Sequence, residues 1–394
     1  MERQGLASHA GPALGPRAGR AAALRERWRA LRNHLVASPR FQRWAAGFPL
    51  TRGIARRNTR ALFDLCAGFV YAQILTACVR LDLFRILSEG PLPVDVLARR
   101  LGLPPGNALR LLRAAASLRL LAALPDGRFA LADLGAALVG NPSVAAMIEH
   151  HALFYADLAD PVALLRGEAG PTRLAGYWPY ADRTGFAAPD AAVAPYSGLM
   201  AASQALIAED VLDAYPLDRH AGLLDVGGGE GAFVAEAARR HPSLRLALLD
   251  LPPVAERARK QMAEQGLGER VACSGGSFLD GIGPADADAI SLIRIVHDHD
   301  DDHAARLLAG VQAALPPGGT ILLAEPMAGT PGAEPVGDAY FGFYLLAMGS
   351  GRPRDAATLA GMLTAAGFVD IRERRTRRPM LVRVLTARRG ADTH

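Results

Sequence analysis

Cysteine is scarce in this sequence, and long uninterrupted apolar runs are missing. The 394 residues include only three cysteines, Cys66, Cys78 and Cys273, and none of them lies in a C-x-x-C pair. This argues against a disulfide scaffold or a zinc finger and suits a reducing, cytoplasmic compartment. The longest apolar run, residues 65–79, is shorter than the ~20 residues that span a bilayer and contains Gln73. It predicts a buried helix.

Acidic residues are almost absent from the first 60 positions, which hold thirteen arginines but only Glu2 and Glu26. Residues 1–20 are rich in Ala, Gly and Pro and predict a disordered tail. Apolar residues then recur at helical spacing between arginines: Leu24, Trp28, Leu31 and Leu35. Such a helix is typical of peripheral contact with anionic lipid, and equally of an ordinary solvated helix in a larger helical domain.

Residues 21–205 show helical periodicity and few convincing strands, which predicts a mostly helical domain. Two apolar stripes, within residues 94–101 and 108–115, precede a turn at Asp126 and Gly127. Two helices followed by a hairpin form a winged-helix pattern. Arg110 and Arg113 on the second helix leave a DNA-binding regulator as an alternative. The apolar character of the unit favours packing against a second subunit, so we expect a homodimer and no nucleic-acid partner.

Residues 206–394 alternate short apolar runs with amphipathic helices. The runs are GLLDV, RLALLDL, AISLIRIV and TILLAE, and one of the helices places a set of apolar residues on a single face: Ala304, Leu307, Leu308, Val311 and Leu315. Strands that alternate with helices predict an α/β domain with a Rossmann-like, doubly wound and mostly parallel sheet. Ligands of such sheets bind beyond the carboxyl ends of the strands.

The segment LLDVGGGEGAF, residues 223–233, predicts a strand, a glycine turn and a helix start. Gly227, Gly229 and Gly231 allow a sharp turn and a close approach of a ligand to the backbone, and the helix amino terminus offers free N–H groups. Asp250 ends the next apolar run, about twenty residues later, where a carboxylate can accept hydrogen bonds from both ribose hydroxyls. A nicotinamide enzyme and an S-adenosylmethionine enzyme both fit these features.

Asp225 favours S-adenosylmethionine, because an acidic residue two positions before the first glycine can face the cationic methionine part of that cofactor. The acid and the alternating glycines resemble the first motif of class I methyltransferases. Downstream, Asp250-Leu251-Pro252, His297-Asp298 and Glu325 resemble the small-molecule O-methyltransferases, the family of the caffeate, flavonoid and acetylserotonin enzymes. The resemblance implies a methyltransferase domain that follows a dimerisation domain. It implies these cofactor-binding residues: Asp225, Gly227, Gly229, Gly231, Asp250, Leu251, Ser277, Phe278 and Arg294.

His297 lies just past an apolar run, in the segment SLIRIVHDHDDDH. A neutral imidazole at the carboxyl edge of the sheet can take a proton from an acceptor hydroxyl, and the resemblance implies this catalytic role. Glu325 ends the following run and is placed to orient the ring. We expect Asp298 to have only a supporting role, because adjacent side chains at a strand end usually point apart. A metal site built from His297, His299 and His303 is a less favoured alternative.

Two positions depart from the family pattern. Pro353 stands where plant relatives carry a second carboxylate near the base, so we do not expect a base held by two carboxylates. Ser277 and Phe278 stand where relatives have an acidic adenine contact followed by an aromatic residue or methionine. Ser277 can still accept a hydrogen bond, and Phe278 can still line the adenine.

The acceptor pocket is predicted from aromatic and apolar residues that together favour a long apolar acceptor: Phe69, Tyr71, Phe154, Tyr340, Phe343, Tyr344 and Met348. Residues 38–73 and the segments IRIVHDHDDDH and GSGRPR resemble the carotenoid O-methyltransferases of photosynthetic bacteria. The resemblance implies methylation of a tertiary hydroxyl on an acyclic hydroxycarotenoid, at the cytoplasmic face of the photosynthetic membrane. An O-methyltransferase for a phenolic polyketide or a pigment macrocycle would share every cofactor motif.

Overall fold

The computed structural model describes residues 16–177, 204–283 and 286–391, so most of the predicted disordered tail lies outside the described residues. Residues 16–20 belong to a helix that begins at Pro16, a residue that favours the first helical position. The chain divides into two compact units, Met1–Ala77 and Cys78–His394.

In the first unit, the described residues form helices with many exposed apolar side chains. The helices are α1 (Pro16–Ala37), α2 (Pro39–Gly47) and α3 (Arg52–Arg80), the last of which continues into the second unit. Trp44 packs between Phe41 and Phe48, with ring centroids 5.6 and 4.9 Å away. Trp28 and Trp44 nevertheless remain 68% and 52% exposed. Apolar side chains therefore face outward beside the arginines predicted from the sequence.

The prediction of a buried helix at residues 65–79 is wrong. Helix α3 is 29 residues long, and its most apolar window has a mean hydropathy of 1.7 but is only 11% buried. The apolar run is the second half of a longer helix whose first half is rich in arginine, and Leu65 and Phe69 are exposed. By length and composition alone, this is the one helix among the described residues that could cross a membrane. A helix that packs in an interface can pass the same test.

The second unit begins with the winged-helix arrangement predicted from the sequence. Helix α4 (Leu83–Ser88) is followed by the short strand β1 (Leu92–Pro93) and helices α5 (Val94–Arg100) and α6 (Pro105–Ser117). Strands β2 (Leu121–Ala123) and β3 (Arg128–Leu131) form an antiparallel hairpin, and β1 pairs with the other edge of β3. The predicted apolar stripes are inside, because Leu97, Leu112 and Ala115 are completely buried.

A helical layer follows the hairpin. It contains α7 (Asp133–Val139), α8 (Pro142–Asp157), α9 (Pro161–Arg166), α10 (Arg173–Tyr177) and α11, whose described part covers residues 204–214. Asp160 caps α9 through its side chain, which accepts hydrogen bonds from the backbone N–H groups of Val162 and Ala163. Phe154 on α8 packs against aromatic residues near position 340, which brings this layer against the helical segment that follows the fifth strand of the large sheet.

The large sheet has the order β6-β5-β4-β7-β8-β10-β9 among the described residues. Its strands are β4 (Gly222–Val226), β5 (Arg245–Asp250), β6 (Val271–Gly275), β7 (Ala289–Ile293), β8 (Thr320–Glu325), β9 (Phe368–Arg374) and β10 (Arg383–Arg389). Pairing is parallel from β6 to β8, while β10 runs antiparallel to β8 and β9. The predicted doubly wound, mostly parallel α/β fold is confirmed.

Helices and turns connect these strands: α12 (Ala232–Arg240), α13 (Pro252–Glu264), α14 (Asp301–Ala314), α15 (Gly342–Met348) and α16 (Ala356–Ala365), with a π-helix at Pro335–Phe341. The predicted apolar face of α14 is buried. The strand order reverses between β4 and β7, which places a crevice at their carboxyl ends. The polar residues predicted at the ends of the parallel strands therefore lie together at the carboxyl ends of these strands.

Candidate active site

The glycine turn after β4 has the geometry of a ligand cradle. Gly227, Gly229 and Gly231 adopt φ values of 70°, 58° and 86°, a region that favours glycine. A methyl group on Gly227 would meet Ile295, and one on Gly231 would meet Met262, whereas the space above Gly229 is open. Helix α12 starts directly after the turn, so its free N–H groups face the same space. The residues present thus fit a nucleoside-bearing cofactor.

Asp225 lies beneath this turn and is buried at the centre of the sheet. Its Oδ1 accepts a hydrogen bond of 2.6 Å from the hydroxyl of Ser291, which is its register partner on β7. Burial and the nearby charge of Asp250 raise the pKa of Asp225 to about 7, against the lowering effect of the Ser291 hydroxyl. A carboxylate with such a pKa is ready to ionise fully when a cation comes close.

Asp250 ends β5 beside the turn and holds it in place. Its carboxylate accepts hydrogen bonds from the backbone N–H of Gly229 at 2.8 Å and of Leu251 at 2.7 Å. Ser277 and Phe278 follow β6 on the same edge, and the ring of Phe278 packs edge-on against His299. The Ser277 hydroxyl accepts from the backbone N–H of Leu279. These side chains surround the space where the ribose and adenine of a cofactor are expected.

His297 sits in a short 3₁₀ turn, Val296–Asp298, just beyond β7. Glu325, the last residue of β8, binds the ring Nδ1 with Oε2. Its other oxygen, Oε1, accepts from the backbone N–H groups of Ile295 and Val296 at 3.1 and 2.7 Å. Glu325 therefore fixes both the imidazole and the loop that carries it. The predicted orienting role matches this geometry.

The expectation that the side chain of Asp298 points away from His297 is wrong. Asp298 Oδ1 lies 3.1 Å from His297 Nε2, so the imidazole is held between two carboxylates. The expectation that Pro353 precludes a two-carboxylate arrangement is wrong for the same reason. The 3₁₀ turn explains the error, because it brings adjacent side chains onto one side, which an extended strand end does not do.

The two carboxylates change the charge state of the imidazole. Burial by itself lowers the pKa of His297, but the negative charges of Asp298 and Glu325 and their hydrogen bonds outweigh it and raise the pKa to about 10. The resting ring is therefore an imidazolium at neutral pH, whereas the sequence suggested an ordinary neutral histidine. A neutral Nε2 becomes available as a base only after the ring has lost a proton and Asp298 has made way.

A cavity of about 300 Å³ opens directly in front of His297 and Asp298. Its walls are mostly apolar and come from α8, α11, the π-helix, α15 and the loop before β10: Val144, Met147, Leu206, Ile207, Val336, Phe341, Met348, Met380 and Leu381. The ring of Phe341 packs edge-on against the imidazole at 5.8 Å. The cavity can hold an apolar chain with one end at His297.

Paired histidine and tyrosine side chains join α8 to the opposite wall of this cavity. His151 Nε2 lies 2.8 Å from the hydroxyl of Tyr340, and His150 Nε2 lies 2.8 Å from that of Tyr344. Burial lowers the pKa of His150 to about 4 and also lowers that of His151, while it raises the pKa of Tyr340 to about 12. His150, His151 and Tyr340 are therefore uncharged at neutral pH.

Two family models match the chain. An O-methyltransferase domain matches residues 155–369, and an O-methyltransferase dimerisation domain matches residues 63–141. The chain is 45% identical to a demethylspheroidene O-methyltransferase of Cereibacter sphaeroides over 91% of this chain and 94% of that protein. It is 41% identical to the enzyme of the same name from Rhodobacter capsulatus, over 87% and 85% of the two chains. The chain belongs to the O-methyltransferase family.

A solved structure agrees with this assignment. The structure of the mitomycin 7-O-methyltransferase superposes with a TM-score of 0.70 at 25% identity, covering 86% of this chain and all of that one. The present protein uses S-adenosylmethionine, the methyl donor of its family, and the turn from Gly227 to Gly231 supplies the matching site. The dimerisation domain indicates a homodimer.

Two residues predicted for the acceptor pocket do not line the cavity of the second unit. Phe154 and Phe343 pack behind Tyr344 in the aromatic cluster and do not line the cavity itself. Phe69 and Tyr71 belong to α3 in the first unit. Arg294, predicted as a cofactor contact, borders the acceptor cavity and has a positive φ of 60°.

His151 borders the cavity but was not among the residues predicted from the sequence. The sequence contains two adjacent histidines, His150 and His151, and two tyrosines four residues apart, Tyr340 and Tyr344. These are the residues that pair in the structure. The metal alternative has no support in the described residues, where no cluster of three or more potential ligands is arranged around one point. His303 instead binds Asp300, the residue that caps α14.

Proposed function

We propose that this O-methyltransferase transfers a methyl group from S-adenosylmethionine to the tertiary hydroxyl of an acyclic hydroxycarotenoid, of the hydroxyneurosporene or demethylspheroidene type. The similarity to two demethylspheroidene O-methyltransferases, at 45% and 41% identity over most of each chain, supports this substrate class. The observation that carries the proposal is the mostly apolar cavity whose charged groups lie at one end, beside the buried His297.

The lining of the cavity favours an uncharged acceptor. His151 and Tyr340 in its lining bond to each other and stay neutral, so they offer no counter-charge for an acidic or cationic ligand. The charged groups gather instead at one end, around His297, Asp298 and Arg294. An apolar chain with a single terminal hydroxyl matches this distribution.

His297 is the proposed base for the acceptor hydroxyl. In its neutral form, Nε2 takes the hydroxyl proton while Nδ1 donates to Glu325, which keeps the ring oriented and stabilises the imidazolium that forms. Asp298 holds Nε2 in the resting state, and the acceptor hydroxyl takes its place there. Because a tertiary alcohol is a weaker acid than a phenol, the strong basicity that the two carboxylates give to His297 suits this acceptor.

The cofactor residues divide into a backbone cradle and carboxylates. The turn from Gly227 to Gly231 receives the cofactor against its N–H groups, and Asp250 accepts from the ribose hydroxyls. Asp225 supplies negative charge beneath the methionine part, while Ser277 and Phe278 border the adenine. When bound, S-adenosylmethionine supplies an electrophilic methyl group on a sulfonium centre.

The test is an assay with isotopically labelled S-adenosylmethionine against hydroxycarotenoids and soluble phenols, followed by mass analysis of the product. We expect label in an acyclic carotenoid methyl ether and little label in any phenol. Preferential labelling of a phenolic polyketide or a pigment macrocycle would replace the carotenoid by that alternative while leaving the methyltransferase assignment intact.

We further propose that the first unit attaches the enzyme peripherally to the cytoplasmic face of the inner, photosynthetic membrane. Exposed apolar residues there, including Trp28, Trp44 and Leu50, lie among arginines in α1, α2 and the start of α3. Aromatic side chains among arginines suit the interface of an anionic bilayer. Residues before position 63 also lie outside the matched dimerisation domain, so that match leaves their surface without an assigned cover.

Flotation with vesicles tests this attachment. We expect the protein to bind vesicles that contain phosphatidylglycerol, to bind pure phosphatidylcholine weakly, and to dissociate as salt is added. Replacing Arg25, Arg29 and Arg32 by Gln should abolish binding. The matched control replaces Arg99, Arg128 and Arg388, three exposed arginines of the second unit, and should bind normally. Equal binding of both triple variants would contradict the proposal.

A further inference from the structure

The segment Ser350–Arg354, SGRPR, lies directly against the loop that carries His297. It follows α15 and precedes α16, so it belongs to neither the strand before the loop nor the helix after it. Its contacts are with the backbone of the loop, and they are unusually complete.

Each backbone carbonyl from Val296 to His299 accepts a hydrogen bond from this segment. Arg354 Nη1 donates to Val296 O at 2.8 Å, and the backbone N–H of Arg352 donates to His297 O at 2.9 Å. The Ser350 hydroxyl donates to Asp298 O at 2.9 Å, and Arg354 Nη2 donates to His299 O at 2.8 Å. The loop has no regular ladder of its own here, so these bonds determine its path.

Arg354 is the centre of this arrangement. Its side chain is 1% exposed and also contacts Asp301 Oδ1 at 2.7 Å, at the first turn of α14. A buried guanidinium can donate in several fixed directions at once, which a lysine ammonium on a flexible stem cannot reproduce. The same residue therefore ties the start of the loop, its end and the following helix together.

Gly351 allows the close approach. It has a φ of 79°, and a Cβ built there would overlap the His297 carbonyl oxygen and the Asp298 carbonyl group. The segment thus touches the loop backbone at the two residues whose side chains form the Asp298–His297–Glu325 arrangement.

We propose that Ser350–Arg354 is a carbonyl clamp that positions the catalytic loop, and that Arg354 is its principal positioning residue. Glu325 fixes the imidazole from the side of β8, while the clamp fixes the backbone from the opposite side. Without the clamp, the loop can shift relative to Glu325 and to the cavity. Displacement of a reacting group by about 1 Å costs on the order of a hundredfold in rate. The inference rests on the proposed role of His297 as the base.

The experiment compares Arg354→Met, Arg354→Lys and the parent enzyme, with whichever acceptor the parent methylates. We expect kcat to fall by on the order of a hundredfold in Arg354→Met, to recover partly in Arg354→Lys, and the Kd for S-adenosylmethionine to change by less than about twofold. Calorimetric titration measures the Kd, and all kinetics are run well below the melting temperature of each variant.

Arg270 provides the matched control. Its guanidinium also donates to backbone carbonyls, in this case three, those of Ala238, His241 and Leu244, but at the opposite edge of the sheet. We expect Arg270→Met to lower the melting temperature as Arg354→Met does and to leave kcat unchanged. An equal loss of kcat in both variants, or a kcat for Arg354→Met within about twofold of the parent, would overturn the clamp.

Ser350→Ala decides the matter if Arg354→Met does not fold. It removes one donor from Asp298 O and should lower kcat about threefold or more with no change in cofactor affinity, whereas an unchanged kcat counts against the clamp. A parallel assay of His297→Ala separates the two claims. If His297→Ala stays active, the base assignment is wrong; if it is inactive while the clamp variants are normal, only the clamp is wrong.

Discussion

Buried histidines lie on the base loop and behind the wall of the acceptor cavity, yet their charge states are opposite. On the loop, His297 lies between Glu325 and Asp298, and its pKa is raised to about 10. Behind the wall, His150 faces the hydroxyl of Tyr344, and burial lowers its pKa to about 4. Burial acts in the same direction at both places. The partners decide the outcome: carboxylates create a strong base, and neutral hydroxyls create an uncharged surface.

The largest expected effect comes from removing the loop histidine. His297→Ala should lower turnover by about 10²- to 10⁴-fold, the range for loss of a general base, while the Kd for S-adenosylmethionine changes only a few fold. Steady-state kinetics and calorimetry measure the two quantities. His303→Ala, in the same sequence cluster but bonded to Asp300, is the control and should stay near the parent. Substantial turnover by His297→Ala would contradict the assignment of His297 as the base.

The next effect is on the pH dependence of the reaction. Neutral His297 is the reactive form, so its fraction and kcat/KM for the acceptor should rise with pH, reach half of the maximum near pH 10 and level off above it. Asp298→Asn removes a negative charge that raises this pKa, so the plateau should be reached at a lower pH. Initial rates from pH 6 to 11 test this. A profile with the same midpoint in both proteins would show that Asp298 does not tune the base.

A third, intermediate effect concerns the affinity for S-adenosylmethionine at Asp225. Asp225, with a pKa of about 7, must be ionised to attract the positive charge of S-adenosylmethionine. The Kd should therefore rise about tenfold from pH 8 to pH 6, because protonation then competes with binding. Calorimetry over this range measures it, and Asp225→Asn should bind weakly with a flat profile. A parent profile that is equally flat would contradict the role of Asp225.

The smallest effect is expected on the wall. Tyr344→Phe removes the hydroxyl that lies 2.8 Å from Nε2 of His150 and should lower the free energy of unfolding by about 0.5–1.5 kcal/mol, the contribution of one hydrogen bond. Denaturant unfolding measures this loss, and acceptor KM should rise only a few fold. Tyr155→Phe, on the helix α8 that carries His150, serves as the control and should change neither quantity. A collapse of kcat in Tyr344→Phe would assign the wall a chemical role.

The cofactor-binding part of the site could be predicted from the sequence because its features are local. A glycine turn depends on the conformations of a few consecutive residues, and Gly227, Gly229 and Gly231 adopt the positive φ values that their spacing suggested. Asp250 ends β5, the strand that follows the glycine turn and its helix, as expected. Strand, turn and helix follow one another in the chain, so no distant contact had to be guessed.

The acceptor half depends on distant contacts and was read less well. His150 and Tyr344 are 194 positions apart in sequence, so their pairing appears only when α8 packs against α15. The contact between Asp298 and His297 depends on a 3₁₀ turn that the apolar pattern does not encode. Arg354 looked like one more arginine in GSGRPR, and its burial follows from the path of the neighbouring loop. The burial of helix α3 was predicted wrongly, because the length of an apolar run does not show whether other residues cover it.

Histidine side-chain NMR over a pH titration tests the central claim most directly, because it reads the charge of each imidazole in the intact protein. The account predicts that the His297 signal, assigned by its loss in His297→Ala, titrates near pH 10, while His150 remains neutral down to about pH 4. A midpoint for His297 at or below 6.5, the ordinary value for histidine, would contradict it.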